Sequence, residues 1–163
     1  MKENKFEFSY RVYENLEELP EEQQWLLSEA RAVTAQAYAP YSNFQVGAVA
    51  KLANGEIVAG SNQENASFPV GLCAERVLLA AASSLFPKIP IETIAISYKS
   101  ENHKSDHPIS PCGICRQSLQ EFESRVNHRV QLVLGGMSGP VYVIESASKL
   151  LPLAFTSSEL NGG

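Results

Sequence analysis

The feature that most constrains this chain is the placement of its cysteines. All three cysteines of the 163-residue sequence lie in two short motifs. Cys73 lies two residues before Glu75, and Cys112 and Cys115 form a C-x-x-C motif. Cysteines three residues apart on the first turn of a helix lie on one face and can bind the same metal ion. Zinc is the metal that thiolate sites of this size prefer.

The number of cysteines predicts a catalytic rather than a structural zinc site. Structural zinc has four protein ligands, whereas catalytic zinc has three and keeps the fourth position for water. Glu75 is close enough in sequence to Cys73 to reach that water without binding the metal. A carboxylate in this place can take a proton from the water and pass it to a substrate. The pattern therefore predicts metal-assisted hydrolysis.

Positive charge near the sulfurs is the second expectation for this site. Cys73 and Cys112 both lie at predicted helix starts, where the helix dipole favours thiolate over thiol. Three thiolates on one zinc ion give a net charge of about −1, which weakens the metal as a Lewis acid. Arg76 and Arg116 each follow a cysteine motif and can donate hydrogen bonds to a ligand sulfur. We favour Arg76 for this role.

Composition excludes several other classes of protein. The sequence is 44% hydrophobic and 19% charged, which is typical of one globular domain, here predicted over residues 1–163 with residues 1–20 as an N-terminal extension. The net charge of −5 argues against a nucleic-acid partner. No apolar run approaches the length of a membrane span, and the first residues lack the apolar core of a signal peptide. Three cysteines in ligand-like motifs favour the reducing cytoplasm.

The order of predicted helices and strands indicates an α/β fold. We predict three layers, α-β-α, with a central mixed sheet of about five strands and a further strand in the N-terminal extension. Strands are predicted at 6–12, 44–52, 56–61, 91–98, 130–134 and 141–144. Helices are predicted from Pro20 to before Pro40 and at 73–85, 112–122 and 147–151. The Ala- and Leu-rich helix at 73–85 is apolar on most faces, so we expect it to be deeply buried.

Five sequence segments, in order, resemble the motifs of the small, three-cysteine, homotetrameric cytidine deaminases. They are APYSNFQVGA at 39–48, NQENA at 62–66, GLCAER at 71–76, SPCGICRQ at 110–117 and LLPLAF at 150–155. The resemblance covers about residues 25–160. It implies hydrolytic deamination of cytidine and 2′-deoxycytidine to uridine and 2′-deoxyuridine with release of ammonia, a reaction of pyrimidine salvage.

The resemblance also implies roles for individual residues. One Zn²⁺ per subunit is bound by Cys73, Cys112 and Cys115, and Glu75 carries protons. Asn62 and Glu64 contact the ribose 3′-hydroxyl, Phe44 packs on the pyrimidine, the Ala74 amide contacts the base carbonyl, the carbonyl region of Ser110 receives the exocyclic amine, and Phe155 reaches the site of a neighbouring subunit. The implied partners are a small nucleoside and three further copies of the chain.

The sequence departs from the family pattern at a few places away from the zinc motifs. The segment before Glu21 and the connection from Lys99 to Pro108 are longer than the pattern requires. Val77 replaces a common Thr, and Phe68 replaces a frequent Tyr, which removes any hydroxyl role there.

Three other functions are compatible with part of this pattern. A blasticidin-type or other small-heterocycle deaminase would keep the zinc site and change the ligand-reading loop, whereas Asn62 with Glu64 favours a nucleoside. A deaminase of bases within DNA or RNA needs a basic channel, which an acidic chain does not favour. A non-enzymatic zinc module needs a fourth ligand. His103 and His107 are the candidates, and their polar surroundings indicate a solvated loop. Phe155 alternatively packs on its own core.

Overall fold

The computed structural model describes residues 1–160, and its centre is one mixed sheet of six strands in the order β1-β6-β5-β4-β2-β3. The strands are β1 (Arg11–Tyr13), β2 (Phe44–Leu52), β3 (Ile57–Ser61), β4 (Ile91–Ser100), β5 (Gln131–Gly135) and β6 (Val141–Ile144). β4 and β5 are parallel, and every other neighbouring pair is antiparallel. The predicted α/β class is confirmed, with six strands in place of about five.

Helices cover both faces of the sheet. They are α1 (Glu21–Val33), α2 (Ala74–Leu85) and α3 (Gly113–Val126). Leu26, Leu27 and Ala30 of α1 pack with Val49 and other residues of one sheet face. The helices α2 and α3 pack on the opposite face in a separate apolar cluster. The three layers are therefore α1, the sheet, and the pair α2 and α3.

The central strands are apolar on both sides, as strands covered by helices must be. In β2, Ala48 belongs to the cluster beneath α2 and α3, and its neighbour Val49 to the cluster beneath α1. In β4, Ile96 belongs to the cluster beneath α2 and α3, and Ala95 belongs to the cluster beneath α1. Two layers of core thus hold β2 and β4 rigidly, and the candidate site lies beside the start of β2.

Some elements differ from the sequence prediction in length. β1 covers Arg11–Tyr13, although alternation predicted a strand over 6–12, because only these residues pair with β6. The alternating aromatic residues before it are exposed, and Tyr10 contacts the ring of Tyr142 with centroids 4.9 Å apart. α3 continues to Val126, beyond the predicted end at 122, and ends at Asn127 in the left-handed conformation. The predicted helix at 147–151 is a 3₁₀ helix, Ala147–Leu150.

The prediction that the Ala- and Leu-rich helix is deeply buried holds for only one face of α2. Leu78 and Leu79 are buried against the sheet, but Ala80 is exposed and the side chain of Leu85 is 67% exposed. Alanine and leucine on an outward face satisfy helix propensity without requiring burial within the same chain. Within residues 1–160, no helix combines the length and the apolar character needed to cross a membrane.

The first turn of α2 lies unusually close to the sheet, and a glycine makes this approach possible. A Cβ atom at Gly60 of β3 would lie 2.6 Å from both the Ala74 carbonyl oxygen and the Leu78 nitrogen. These are backbone atoms, which cannot move aside without shifting the helix. Gly60 therefore fixes the height of α2 above the sheet.

We expect Gly60→Ala to destabilise the protein by about 1–3 kcal/mol, as overpacking in a well-packed core does. Denaturant unfolding of the zinc-loaded protein would measure the change. Gly113→Ala is the matched control, because a Cβ atom there meets no atom within 4 Å. Equal unfolding free energies for the two variants would contradict the role given to Gly60.

Candidate metal centre and active site

The N-terminal ends of α2 and α3 lie side by side and bring the three cysteines together. Cys73 is the residue that caps α2, Cys112 caps α3, and Cys115 lies on the first turn of α3. The sulfur atoms of Cys73 and Cys112 are 3.7 Å apart, and all three sulfurs lie within 4.8 Å of one another. The helix starts predicted for both motifs are thus present.

These distances fit a zinc ion. Two sulfurs bound to tetrahedral zinc at about 2.3 Å are about 3.8 Å apart, which agrees with the separation of Cys73 and Cys112. Cys115 is buried, Cys73 is partly buried and Cys112 is exposed, so the cluster lies at the protein surface. In the described part of the chain it is the only group of three or more metal-binding side chains, and neither His103 nor His107 belongs to it. Three sulfur ligands leave one position of a tetrahedron for water or substrate.

The environment of Cys73 favours its thiolate. Its pKa is lowered to about 6, chiefly by the hydrogen bond from the Cys115 thiol, with smaller contributions from Cys112 and the charge of Arg76. Burial and the nearby Glu75 carboxylate act in the opposite direction. The same contact with Cys73 raises the pKa of Cys115. One sulfur is therefore ready to bind a cation, and metal binding must displace the proton that Cys115 retains.

The two arginines beside the cysteines have different surroundings. The Arg116 side chain donates hydrogen bonds to the backbone carbonyls of Pro111 (2.8 Å) and Leu150 (3.2 Å). These bonds connect α3 to the two segments that flank it. The charge of Arg76, by contrast, helps to lower the pKa of the Cys73 thiol. The role of Arg76 as the cation that offsets the charge of the thiolates stays a prediction.

Glu75 lies on the first turn of α2 with only 5% of its surface exposed. Burial raises the pKa of its carboxyl group, and hydrogen bonds from its own backbone amide and from the Cys115 thiol partly offset this. The carboxyl group is therefore in contact with the sulfur cluster. A raised pKa suits a group that must both accept and return a proton near neutral pH.

Glu64 joins two of the loops beside the cysteines. Its carboxylate accepts hydrogen bonds from the backbone amides of Tyr41 (2.8 Å) and Ser42 (3.3 Å) and from the Ser42 hydroxyl. The limited burial of the group would raise its pKa, but these hydrogen bonds outweigh that effect and lower it. Glu64 is therefore charged at neutral pH, in a position that is partly exposed.

Asn62 is bound to the start of β2 through both ends of its amide. Its oxygen accepts from the Val46 amide (2.7 Å), and its nitrogen donates to the Phe44 carbonyl (2.9 Å). One N–H and one lone pair of the amide have no partner in these two bonds. The Asn62 side chain is thus held in a fixed orientation with a donor and an acceptor to spare.

A cavity of about 500 Å³ connects these loops to the metal cluster. It is lined by Tyr41, Ser42, Asn62, Gln63, Glu64, Asn65, Phe68, Gly71, Leu72 and Cys73. A groove of about 560 Å³ lies at the other ends of α2 and α3, where Phe86 and Phe122 form part of its wall. None of the residues that line that groove is a cysteine or an acid, whereas the cavity beside Cys73 is lined by both.

Four of the residues expected to contact substrate are not part of the cavity wall: Phe44, Ala74, Ser110 and Phe155. Phe44 is partly buried and stacks on Tyr98, with ring centroids 4.9 Å apart. Ala74 is buried at the first position of α2, where the backbone amide has no hydrogen-bond acceptor within the helix. The Phe155 side chain is 59% exposed and does not pack on its own core, so that alternative is wrong.

A sequence model described as the cytidine and deoxycytidylate deaminase zinc-binding region matches residues 20–130. The chain belongs to this family. The zinc-binding region and the three-sulfur cluster together identify one zinc ion as the cofactor.

Individual relatives support the same assignment. A cytidine deaminase of Halalkalibacterium halodurans is 36% identical over 86% of this chain and 98% of its own length. One from Sporosarcina psychrophila is 34% identical over 83% of this chain and 93% of its own length. Among solved structures, cytidine deaminase from Burkholderia pseudomallei matches with a TM-score of 0.69 and 39% identity, covering 80% of this chain and 97% of that one.

The sequence prediction missed several residues of this family member's candidate site. Ser42 fixes the Glu64 carboxylate, and Tyr41 and Phe68 form an aromatic edge of the cavity with ring centroids 5.8 Å apart. Tyr41 and Ser42 lie in the first of the five matching segments, which was the available signal. Leu72 lies in the third matching segment, at 71–76, so the same signal was available for it. It joins the wall because its backbone pairs with that of Gln63.

We expect Cys112→Ser to lose the bound zinc without unfolding the protein, because serine is a poor zinc ligand and the Cys112 side chain is exposed. Metal analysis after gel filtration should give about one zinc per chain in the unaltered protein and little in the variant. Ile114→Ser is the control, since Ile114 is exposed between the two cysteines and has no sulfur. Retention of zinc by Cys112→Ser would exclude Cys112 as a ligand.

Proposed function

We propose that this protein is a zinc-dependent hydrolase that converts cytidine and 2′-deoxycytidine to uridine and 2′-deoxyuridine with release of ammonia. The observation that carries the proposal is the three-sulfur cluster together with the buried Glu75, which lies two residues from Cys73 on the first turn of α2. The relatives named above are cytidine deaminases, which supports the same substrate class.

The proposed reaction depends on proton transfer by Glu75. A zinc ion held by Cys73, Cys112 and Cys115 would lower the pKa of a water at its open position to about 7. Glu75 accepts a proton from this water as its oxygen forms a bond to C4 of the pyrimidine. The carboxyl group passes this proton to N3 and then transfers the proton of the new C4 hydroxyl to the exocyclic nitrogen. The C4–N bond breaks as the C4 carbonyl forms, which gives the uridine base and releases ammonia. A buried carboxyl with a raised pKa can perform these steps.

The cavity suits a nucleoside because its polar groups are those that hydroxyls need. The charged Glu64 can accept a strong hydrogen bond from the ribose 3′-hydroxyl, and the spare donor and acceptor of Asn62 are beside it. The same carboxylate would repel a phosphate, which favours free nucleosides over nucleotides. We assign the amide of Ala74 to the base carbonyl, the Ser110 carbonyl to the amine, and Phe44 to the pyrimidine ring.

A homotetramer would account for two exposed features of the chain. Phe155 projects from the surface, and its carbonyl is held by the side-chain amide of Gln117 at 2.9 Å. The outward face of α2 carries the exposed Ala80 and Leu85. In the proposed assembly a neighbouring copy covers this apolar surface, and Phe155 reaches the site of a neighbour. The proposed compartment is the cytoplasm, where the cysteines stay reduced.

We expect Glu75→Gln to keep its zinc and lose about 10²–10⁴-fold or more in kcat, the usual contribution of general acid–base catalysis. The decisive experiment follows the loss of cytidine absorbance, with zinc content and oligomer mass measured on the same sample. Glu121→Gln is the control, because Glu121 is an exposed acid on α3.

Two results would contradict these assignments. Full turnover in zinc-loaded Glu75→Gln would remove Glu75 from the mechanism. Turnover of blasticidin S, but not of cytidine, by the unaltered protein would replace the nucleoside with another small heterocycle.

We expect Glu64→Ala to raise the KM for cytidine by about ten- to a hundredfold, because it removes a hydrogen bond to a charged group. The KM for 3′-deoxycytidine, which lacks the hydroxyl, should change much less. Glu56→Ala, at an exposed acid of the β2–β3 turn, serves as the control. Equal losses for both substrates would exclude the contact between Glu64 and the 3′-hydroxyl.

A further inference from the structure

The connection between β4 and α3 (residues 101–112) is held firmly against the rest of the fold, although its polar sequence predicts a solvated loop. The Ser105 carbonyl accepts from the amides of Met137 (2.6 Å) and Ser138 (3.3 Å). The Ser105 hydroxyl accepts from the Ser100 amide at 2.9 Å. A Cβ atom at Gly136 would lie 2.3 Å from the Ser105 carbonyl oxygen, so the two backbones are in direct contact.

One part of this connection holds the ribose side of the cavity. The side-chain amide of Asn102 donates to the Ser42 carbonyl at 3.1 Å, and the Glu101 amide donates to the neighbouring Asn43 carbonyl at 3.2 Å. Ser42 in turn holds the Glu64 carboxylate through its amide and its hydroxyl. Asn102 therefore fixes the residue that orients Glu64.

Another part of the connection reaches the ring on which Phe44 rests. The Tyr98 hydroxyl lies 3.3 Å from Nδ1 and 3.4 Å from Nε2 of His107, and it is 3.4 Å from the Lys104 carbonyl. The Tyr98 ring is only 1% exposed and stacks on Phe44 with an angle of 16° between the planes. His107 thus holds Tyr98, and Tyr98 supports Phe44.

We propose that the β4–α3 connection positions two groups that contact the substrate, with Asn102 acting through Ser42 on Glu64 at the ribose and His107 acting through Tyr98 on Phe44 at the pyrimidine. The proposal rests on the proposed function, because it assigns Glu64 and Phe44 to the two parts of a nucleoside. Neither Asn102 nor His107 touches the reacting atoms, so both are positioning residues. Their loss should weaken substrate binding and leave the proton transfer by Glu75 nearly intact.

The two residues can be distinguished because they act on different parts of the substrate. Asn102→Ala should raise the KM for cytidine about two- to tenfold, the effect of one hydrogen bond, and should leave the KM for 3′-deoxycytidine nearly unchanged. His107→Ala should raise the KM for both substrates by similar factors. In each variant kcat should stay within about twofold of the unaltered protein. Both side chains are exposed, so neither change should prevent folding.

His103→Ala is the matched control, because His103 is an exposed histidine of the same connection whose only hydrogen bond within residues 1–160 is donated by its backbone amide. Its KM values should equal those of the unaltered protein. Tyr98→Phe removes the hydroxyl but keeps the stacked ring, and it should reproduce the effect of His107→Ala. Combining the two should add little further, since each removes the same contact.

Unchanged KM values in Asn102→Ala and His107→Ala, with cytidine turned over normally by the unaltered protein, would overturn this proposal alone. Additive effects of His107→Ala and Tyr98→Phe would overturn the part of the proposal that concerns Phe44 and the pyrimidine. Absence of cytidine turnover by the unaltered zinc-loaded protein would overturn the proposed function and this proposal with it.

Discussion

The meeting of two helix N-termini at three sulfur atoms is the contact on which the rest of the site depends. Cys73 caps α2 and Cys112 caps α3, so the metal ligands and the positive helix ends are placed by the same two residues. Since each helix end stabilises negative charge, the fold itself offsets part of the repulsion between three thiolates. The position of Glu75 follows from the same arrangement, because the first turn of α2 places its buried carboxyl group beside Cys115.

The sequence predicted this centre well because its determinants are local. The spacing of Cys112 and Cys115 fits one helical turn, and the strand predicted over 44–52 has the same bounds in the structure. The layered α/β class also follows from the order of local patterns. Gly60 is also a local feature, because a glycine in a strand permits a close approach of another backbone. Only the structure shows that this backbone is the first turn of α2, at the Ala74 carbonyl.

What the sequence could not show depends on contacts between distant segments. The polar composition of residues 101–108 suggested a loop in water, but Asn102 and His107 reach Ser42 and Tyr98 in other parts of the chain. The extent of β1 was overestimated because alternation cannot tell which residues find a partner on β6. Composition also predicts burial for the outward face of α2, which is exposed. Helix propensity and burial favour the same residues, so composition alone does not separate them.

The Glu64 carboxylate illustrates how such contacts affect the energetics of recognition. Before any ligand arrives, it already accepts hydrogen bonds from Tyr41 and Ser42, while both ends of the Asn62 amide are bound to β2. These side chains have lost their rotational freedom during folding, so a ligand that meets them does not have to order them again. The entropic cost of ordering these side chains therefore lowers the stability of the free protein and does not lower the affinity for the ligand. The site is preorganised for binding.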